Sequence, residues 1–298
     1  MTQVIIGIHQ AEPGSGITET EREHYRQSGV RILVLPEYFW VRPADRDHRD
    51  SAAHARQDLD LMARLSTEEP WVLVGGTFVE RNEGDVYYNA CPVFQDGREI
   101  GRYRKIHLMP GEARHGISPG SGFQLVEALG LRLAPVICAD VLYPDTFNDV
   151  ARLHPSLILA PMSSPLLPGD TPEAKDKRDR DIFLRGAGRA GAPIVKAGGV
   201  GHLFQRPLQG RSLVATPGAI LFRTPFDQEK KERPITSLSA RCRESRSTGE
   251  HQAWERPNSS ICQEDHRPLP VPEFFPRRLP SEQSPKCPPA FREIPSIP

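Results

Sequence analysis

Short, unbroken apolar runs, separated by charged stretches with helical spacing, are the feature that most limits what this chain can fold into. Strands are expected at Val4–His9, Ile32–Leu35, Trp71–Phe78, Ala90–Phe94, Ile100–Arg104, Phe123–Val126, Leu131–Cys138, Leu157–Pro161, Ile194–Ala197 and Ser212–Thr216. Runs that are continuous rather than alternating suit strands covered on both faces. Asp96-Gly97 is the turn of a hairpin between two of them, and Leu129-Gly130 turns the chain into the run that ends at Cys138. Helices are expected at Asp50–Leu65, at Pro144–His154, which opens on Pro-Asp, and at Pro172–Ala190, where glycines mark the end. Alternation of the two periods predicts an α/β chain with helices packed on its sheets. No repeat of solenoid length interrupts it.

The pattern stops near Gln228. From there prolines crowd the sequence, Arg, Ser and Glu fill most of the remainder, and periodic apolar residues nearly vanish. The chain therefore divides into a catalytic-size domain at 1–228 and a Pro/Arg/Ser-rich tail at 229–298. That tail has too little apolar surface to offset its ordering entropy, so disorder or loose packing is expected. The change sets in around residues 229 to 233, as a shifted reading frame or a replaced end would leave it.

Lys plus Arg and Asp plus Glu number 38 each, so the formal net charge is zero. Nothing in that balance calls for nucleic acid or an anionic membrane as partner. No apolar run reaches the ~20 residues of a spanning helix. The short run Val4–Ile8 lacks a basic start and a cleavage site, and reads as a first strand rather than a signal peptide. Five scattered cysteines, Cys91, Cys138, Cys242, Cys262 and Cys287, form no Cys-x-x-Cys pair. This argues against a disulfide framework and a structural zinc site, and makes a reducing, cytoplasmic setting the expectation. The ten histidines never form His-Glu-x-x-His, so no metal is called for. Gly186-Ala187-Gly188-Arg189-Ala190-Gly191 fits a dinucleotide fingerprint only in letters. It follows a helix and precedes a strand, the reverse of the required context.

Three segments carry residues suited to chemistry. Leu33-Val34-Leu35-Pro36-Glu37 ends a strand on a carboxylate, where α/β proteins place active residues. Arg104-Lys105-Ile106-His107-Leu108 puts a lysine among apolar neighbours, and burial there demands a nearby carboxylate. Val136-Ile137-Cys138-Ala139-Asp140, followed by Tyr143-Pro144, sets a thiol at a strand tip just before a helix, in the manner of a nucleophile elbow. Each alone has a plainer reading: a surface glutamate, an edge-strand lysine, a core cysteine.

Together, in this order, they resemble the nitrilase, or carbon–nitrogen hydrolase, superfamily, which reads Pro-Glu, then Tyr-Arg-Lys-x-His-Leu, then Ile-Cys-x-Asp. Pro110-Gly111-Glu112, Pro119-Gly120, Gly210-x-Ser212 and Thr216-Pro217-Gly218 extend the match over about residues 4–226. The resemblance implies a four-layer α-β-β-α sandwich of nitrilase type, and a hydrolase acting on a small amide, nitrile or carbamoyl compound through a cysteine thioester. It assigns Cys138 as nucleophile, Glu37 as general base, Lys105 as oxyanion donor and Glu112 as the second carboxylate. Ala139, through its N–H, Tyr143 and Ser163 are the substrate-side candidates. No cofactor is implied, and a homodimer is the assembly it allows. Two departures stand out. The family's Ala-Asn before a glycine is replaced by Lys196-Ala197-Gly198-Gly199, and Met162-Ser163-Ser164-Pro165 stands where a bulky pocket residue is usual, which predicts a roomier or more polar pocket. The competing functions are acyl transfer to an amine or lipid, and a non-catalytic homologue on the same scaffold.

Overall fold

The computed structural model describes residues 2–242 and 254–255. In chain order the elements are β1 Thr2–Gln10, α1 Glu19–Gln27, β2 Val30–Val34, α2 His48–Ala52, α3 Ala55–Glu68, β3 Val72–Val74, β4 Phe78–Arg81, β5 Tyr87–Gln95, β6 Arg98–Arg104, α4 Pro110–Arg114, β7 Val126–Ala128 and β8 Leu131–Pro135. They continue with α5 Pro144–Arg152, β9 Leu157–Met162, α6 Pro172–Asp179, α7 Arg185–Ala190, β10 Ile194–Gly198, β11 His202–Leu203, β12 Arg206–Pro207, β13 Leu213–Ala215, β14 Ile220–Arg223, β15 Arg233–Cys242 and β16 Trp254–Glu255.

Two mixed sheets result. One has the order β16-β15-β1-β2-β3-β5-β4, with β6 also on β5, and the other β14-β13-β10-β9-β8-β7. β1, β2 and β3 run parallel, as do β8, β9 and β10. The continuous apolar runs are explained by what lies on their two sides. Ile32 and Val34 of β2 join Leu157 and Leu159 of β9 in a core between the sheets. Leu33 and Leu35 face the other way, onto a cluster with Tyr25 of α1 and Met62 of α3. On the second sheet Ile158 and Ala160 pack with Phe147 and Val150 of α5, Phe183 and Ala187. The layers are thus helix, sheet, sheet, helix, the four-layer α-β-β-α sandwich.

Several expected elements are divided. Asp50–Leu65 becomes α2, capped by the Asp47 carboxylate, and α3, with a break at Ala53 and His54. Trp71–Phe78 becomes β3 and β4, because Gly75 and Gly76 intervene. Gly76 has φ +64, and a Cβ there would meet the Pro36 carbonyl oxygen at 2.2 Å. The chain therefore turns where it passes the segment that carries Glu37. Phe123–Val126 contributes only its last residue to a strand. Pro172–Ala190 is one helical rod with a π-helical turn at Arg180–Leu184 between α6 and α7. Within it Gly186 lies against the Phe147 ring, where a Cβ would come within 2.5 Å, so this glycine serves helix packing. The altered Lys196–Gly199 run also has a physical reason. A Cβ on Gly198 would meet the Gly210 carbonyl oxygen at 1.4 Å, so only glycine allows the two backbones this close. The hairpin turns follow the sequence: Asp96 and Gly97 have φ +50 and +77, Leu129 and Gly130 +53 and +72.

β15 pairs with β1 in antiparallel register, Thr2 opposite Cys242 and Gln10 opposite Arg233. It falls within the stretch where apolar periodicity fades. Beyond Cys242 the 229–298 segment, apart from β16, lies outside the described residues.

Candidate active site

Glu37, Lys105, Glu112 and Cys138 come from four different segments, each leaving a strand or entering a helix, and they meet at one place. Glu37 follows β2, Lys105 follows β6, and Glu112 is the third residue of α4. All three are buried, at 1%, 1% and 4% exposure. The Lys105 ammonium donates to Glu37 Oε1 at 2.8 Å, and to Glu112 Oε1 at 3.0 Å and Oε2 at 2.8 Å. A buried ammonium with two carboxylates satisfies the need for a partner that its sequence context raised.

The carboxylates are held from other sides as well. Asn89 Nδ2 donates to Glu37 Oε1 at 2.9 Å and to Glu112 Oε1 at 2.8 Å. The Tyr38 hydroxyl donates to Glu112 Oε1 at 2.6 Å, and the Met109 N–H to Oε2 at 2.7 Å. The Ser163 N–H donates to Glu37 Oε2 at 3.1 Å, and the Ser163 hydroxyl donates to the same oxygen. The Ser163 N–H also favours a charged Cys138 sulfur, so one residue at the end of β9 bears on both the thiol and the carboxylate.

Cys138 opens a short 3-10 turn, Cys138–Leu142, directly after β8, with Ile137 as its cap. Its φ is +40, a left-handed conformation that a residue with a Cβ adopts only under constraint. Asp140 supplies part of that constraint. Its carboxylate accepts from the Ile137 N–H at 2.8 Å, the Tyr103 hydroxyl at 2.8 Å and the His107 N–H at 2.9 Å. These bonds tie the cysteine turn to the strand and loop that carry Lys105. The thiol is half-buried, whereas Cys91 is sealed in the core between the sheets.

The electrostatics follow from this packing. Burial opposes the charge on Lys105, but Glu37, Cys138 and Glu112 outweigh it and hold the ammonium well above its ordinary range. Burial also disfavours a charged Glu112. The Lys105 charge and the hydrogen bonds from Lys105, Tyr38 and Met109 overcome that and keep its carboxyl below the usual range. Burial pushes the Cys138 thiol up, and Glu37 adds to the effect; Lys105 and the Ser163 N–H only partly offset it. Cys138 therefore rests as a thiol, and a thiol acting as nucleophile needs a base.

Of the substrate-side candidates, Ala139 is buried in the first turn beside Cys138. Its N–H stands where a helix start has no acceptor of its own. Ser163 lies on Glu37, bonded through both its N–H and its hydroxyl. Tyr143 is not part of the carboxylate cluster: it is 46% exposed and stacks on the His107 ring with centroids 4.0 Å apart. Asn89 and Tyr38 are missing from the sequence-based set. A polar residue inside the apolar run of β5 is the signal that marks Asn89.

Comparison with known proteins gives a consistent picture. The profile of the family described as carbon-nitrogen hydrolase matches residues 17–246. An omega-amidase from Xenopus laevis is 28% identical over 145 residues, covering 45% of this chain and 52% of that protein. A nitrilase from Pyrococcus abyssi is 24% identical over 237 residues, covering 74% of this chain and 82% of that protein. The match spans about half the length of the Xenopus omega-amidases. Among solved structures, a carbon-nitrogen hydrolase from Helicobacter pylori G27 superposes with TM-score 0.67 at 20% identity, covering 79% of this chain and 88% of the other. An amidase from Nesterenkonia sp. AN1, with acrylamide added at its active site cysteine, superposes with TM-score 0.65 at 16% identity, covering 79% and 92%. At these identities the two structures establish likeness of fold.

Proposed function

The chain belongs to the carbon-nitrogen hydrolase family, and from that premise we propose that it hydrolyses a non-peptide carbon–nitrogen bond of a small amide through a thioester on Cys138. The observation that carries this reading is the buried ammonium of Lys105, bonded to two carboxylates and close enough to the Cys138 sulfur for each to act on the other's charge.

Glu37 takes the thiol proton as the Cys138 sulfur attacks the carbonyl carbon. Lys105 and the Ala139 N–H receive the developing oxyanion. Donors of this kind are worth about 3–4 kcal/mol each in a water-poor site. Glu37 returns the proton to the departing nitrogen, and the amine or ammonia leaves. A water that Glu37 deprotonates then cleaves the thioester, and the thiol is restored. Glu112 keeps Lys105 charged and in place throughout. A thiol nucleophile suits the reducing cytoplasm as the working compartment. Ammonia release from a panel of primary amides, nitriles and carbamoyl compounds tests the reading. Release from at least one amide, at a rate proportional to enzyme, is expected, and release from none removes its support.

A further inference from the structure

β11 and β12 form a two-stranded hairpin separate from both large sheets, with His202 opposite Pro207 and Leu203 opposite Arg206. Phe204 and Gln205 at its tip have φ +46 and +65. A two-residue turn of that hand favours Asn and Gly, so a phenylalanine stays in it only where its surroundings hold it. The half-buried Phe204 ring packs on Tyr38, with centroids 6.2 Å apart, and on His48 at 4.8 Å. The Tyr38 and His48 rings also meet each other, at 5.2 Å. At the other end of the hairpin the Leu166 N–H donates to the Pro207 carbonyl at 2.9 Å, and the Gln209 N–H to the Ser164 carbonyl at 3.0 Å. The hairpin thus spans from the loop after Ser163, which bonds Glu37, to Tyr38, which follows Glu37 in the chain. Tyr38 is itself left-handed, at φ +58, and its hydroxyl donates to Glu112 Oε1, the oxygen that also accepts from Lys105 and Asn89.

We propose that Phe204 is a positioning residue: its ring, carried by the hairpin tip, holds the Tyr38 hydroxyl on Glu112 and through it keeps Lys105 in place. The inference rests on the reading under Proposed function and adds a residue to that site. Phe204 acts through Tyr38 rather than on the reacting atoms. The Tyr38 bond is one of those that keep the Glu112 carboxyl below its usual range, after the Lys105 charge and the Lys105 hydrogen bond. Lys105, Tyr38, His48 and the Cys138 sulfur are the titratable groups that share the field of that carboxylate, with Glu37 beyond the ammonium. Burial holds His48 down at about 4, so it is neutral where Glu112 is charged. Losing the Phe204 ring frees Tyr38 to turn away, which weakens the hold on Glu112 and loosens the ammonium that meets the oxyanion.

Steady-state kinetics of the full-length chain with an amide it turns over separate this role from a structural one. Phe204→Ala is expected to lower kcat about tenfold with KM changed less than about twofold. Phe204→Gly, which relieves the left-handed turn, should be as slow, and Phe204→Tyr should restore the rate. In a Tyr38→Phe background Phe204→Ala should cost less than about twofold more, because the hydroxyl it serves is gone. An unchanged kcat in Phe204→Ala, a wild-type rate in Phe204→Gly, or a full tenfold loss in the Tyr38→Phe background overturns the proposal. Urea denaturation gives a second readout that needs no turnover. In Phe204→Ala the Glu112 carboxyl moves up towards its ordinary value, so the deficit in midpoint is present at pH 7 and shrinks as pH falls through the folded values. A deficit that stays constant with pH marks packing alone and also overturns it. A wild-type chain that turns over no amide instead sinks the underlying reading, and the pH course of the deficit then decides the role of Phe204 by itself.

Discussion

Replacing Cys138 with alanine is expected to lower kcat by about 10⁴-fold or more while leaving the fold intact, because in the proposed mechanism the thioester forms on its sulfur. Cys91 cannot substitute, being enclosed in the inter-sheet core with its thiol pushed up by burial alone. The change removes one half-buried sulfur, so the stability cost is about 1 kcal/mol or less. A companion variant reports on the backbone. Alanine keeps the left-handed strain at φ +40, whereas glycine adopts that conformation freely. Cys138→Gly should be equally inactive yet about 1 kcal/mol more stable than Cys138→Ala. Steady-state kinetics with urea denaturation of both variants checks this. Turnover retained in either variant contradicts the assignment of the nucleophile.

Lys105→Met should damage both chemistry and stability. Losing an oxyanion donor costs about 10²- to 10³-fold in kcat. Removing the ammonium also strands two buried carboxylates, and breaking a buried ion pair from one side costs about 3–5 kcal/mol. The pH dependence gives the sign. In the wild type the Glu112 carboxyl lies below its ordinary value, so its contribution is present above the unfolded value of about 4.3 and is lost as pH falls through the folded one. In Lys105→Met the opposing charge is gone, and burial favours the protonated acid. From pH 7 down to about 4.3 the Glu112 contribution should therefore hold in the wild type and fall away only below that, whereas denaturation midpoints of the variant should rise over the same upper range. A variant as stable as the wild type at pH 7, with the same pH slope, contradicts the buried cluster.

The strands could be read in the sequence because both of their faces are covered, which forces unbroken apolar runs. Where a local constraint cuts a run, the sequence was less informative. Gly75 and Gly76 divide Trp71–Phe78 because the chain passes against the Pro36 carbonyl, a contact between segments about 40 residues apart. α1 escaped notice because only Tyr25 of its nine residues is buried, although Thr18 and Glu21 form a capping box that marks its start. Glu37, Lys105 and Cys138 were legible because each sits in a strongly patterned segment near a strand end. Asn89 was not, since its two bonds reach residues 52 and 23 positions away. Ser163 was a substrate-side candidate in the sequence, but its attachment to Glu37 spans 126 positions and only the folded chain reveals it.

The central claim is that an acyl group resides on the Cys138 sulfur during turnover. Intact-mass measurement of rapidly quenched enzyme with a turned-over primary amide, followed by peptide mapping, tests it most directly. The mass should rise by that of the amide less ammonia, on the peptide containing Cys138, and the increase should vanish in Cys138→Ala. Turnover with no such increase, or with the acyl group on another residue, would contradict the account.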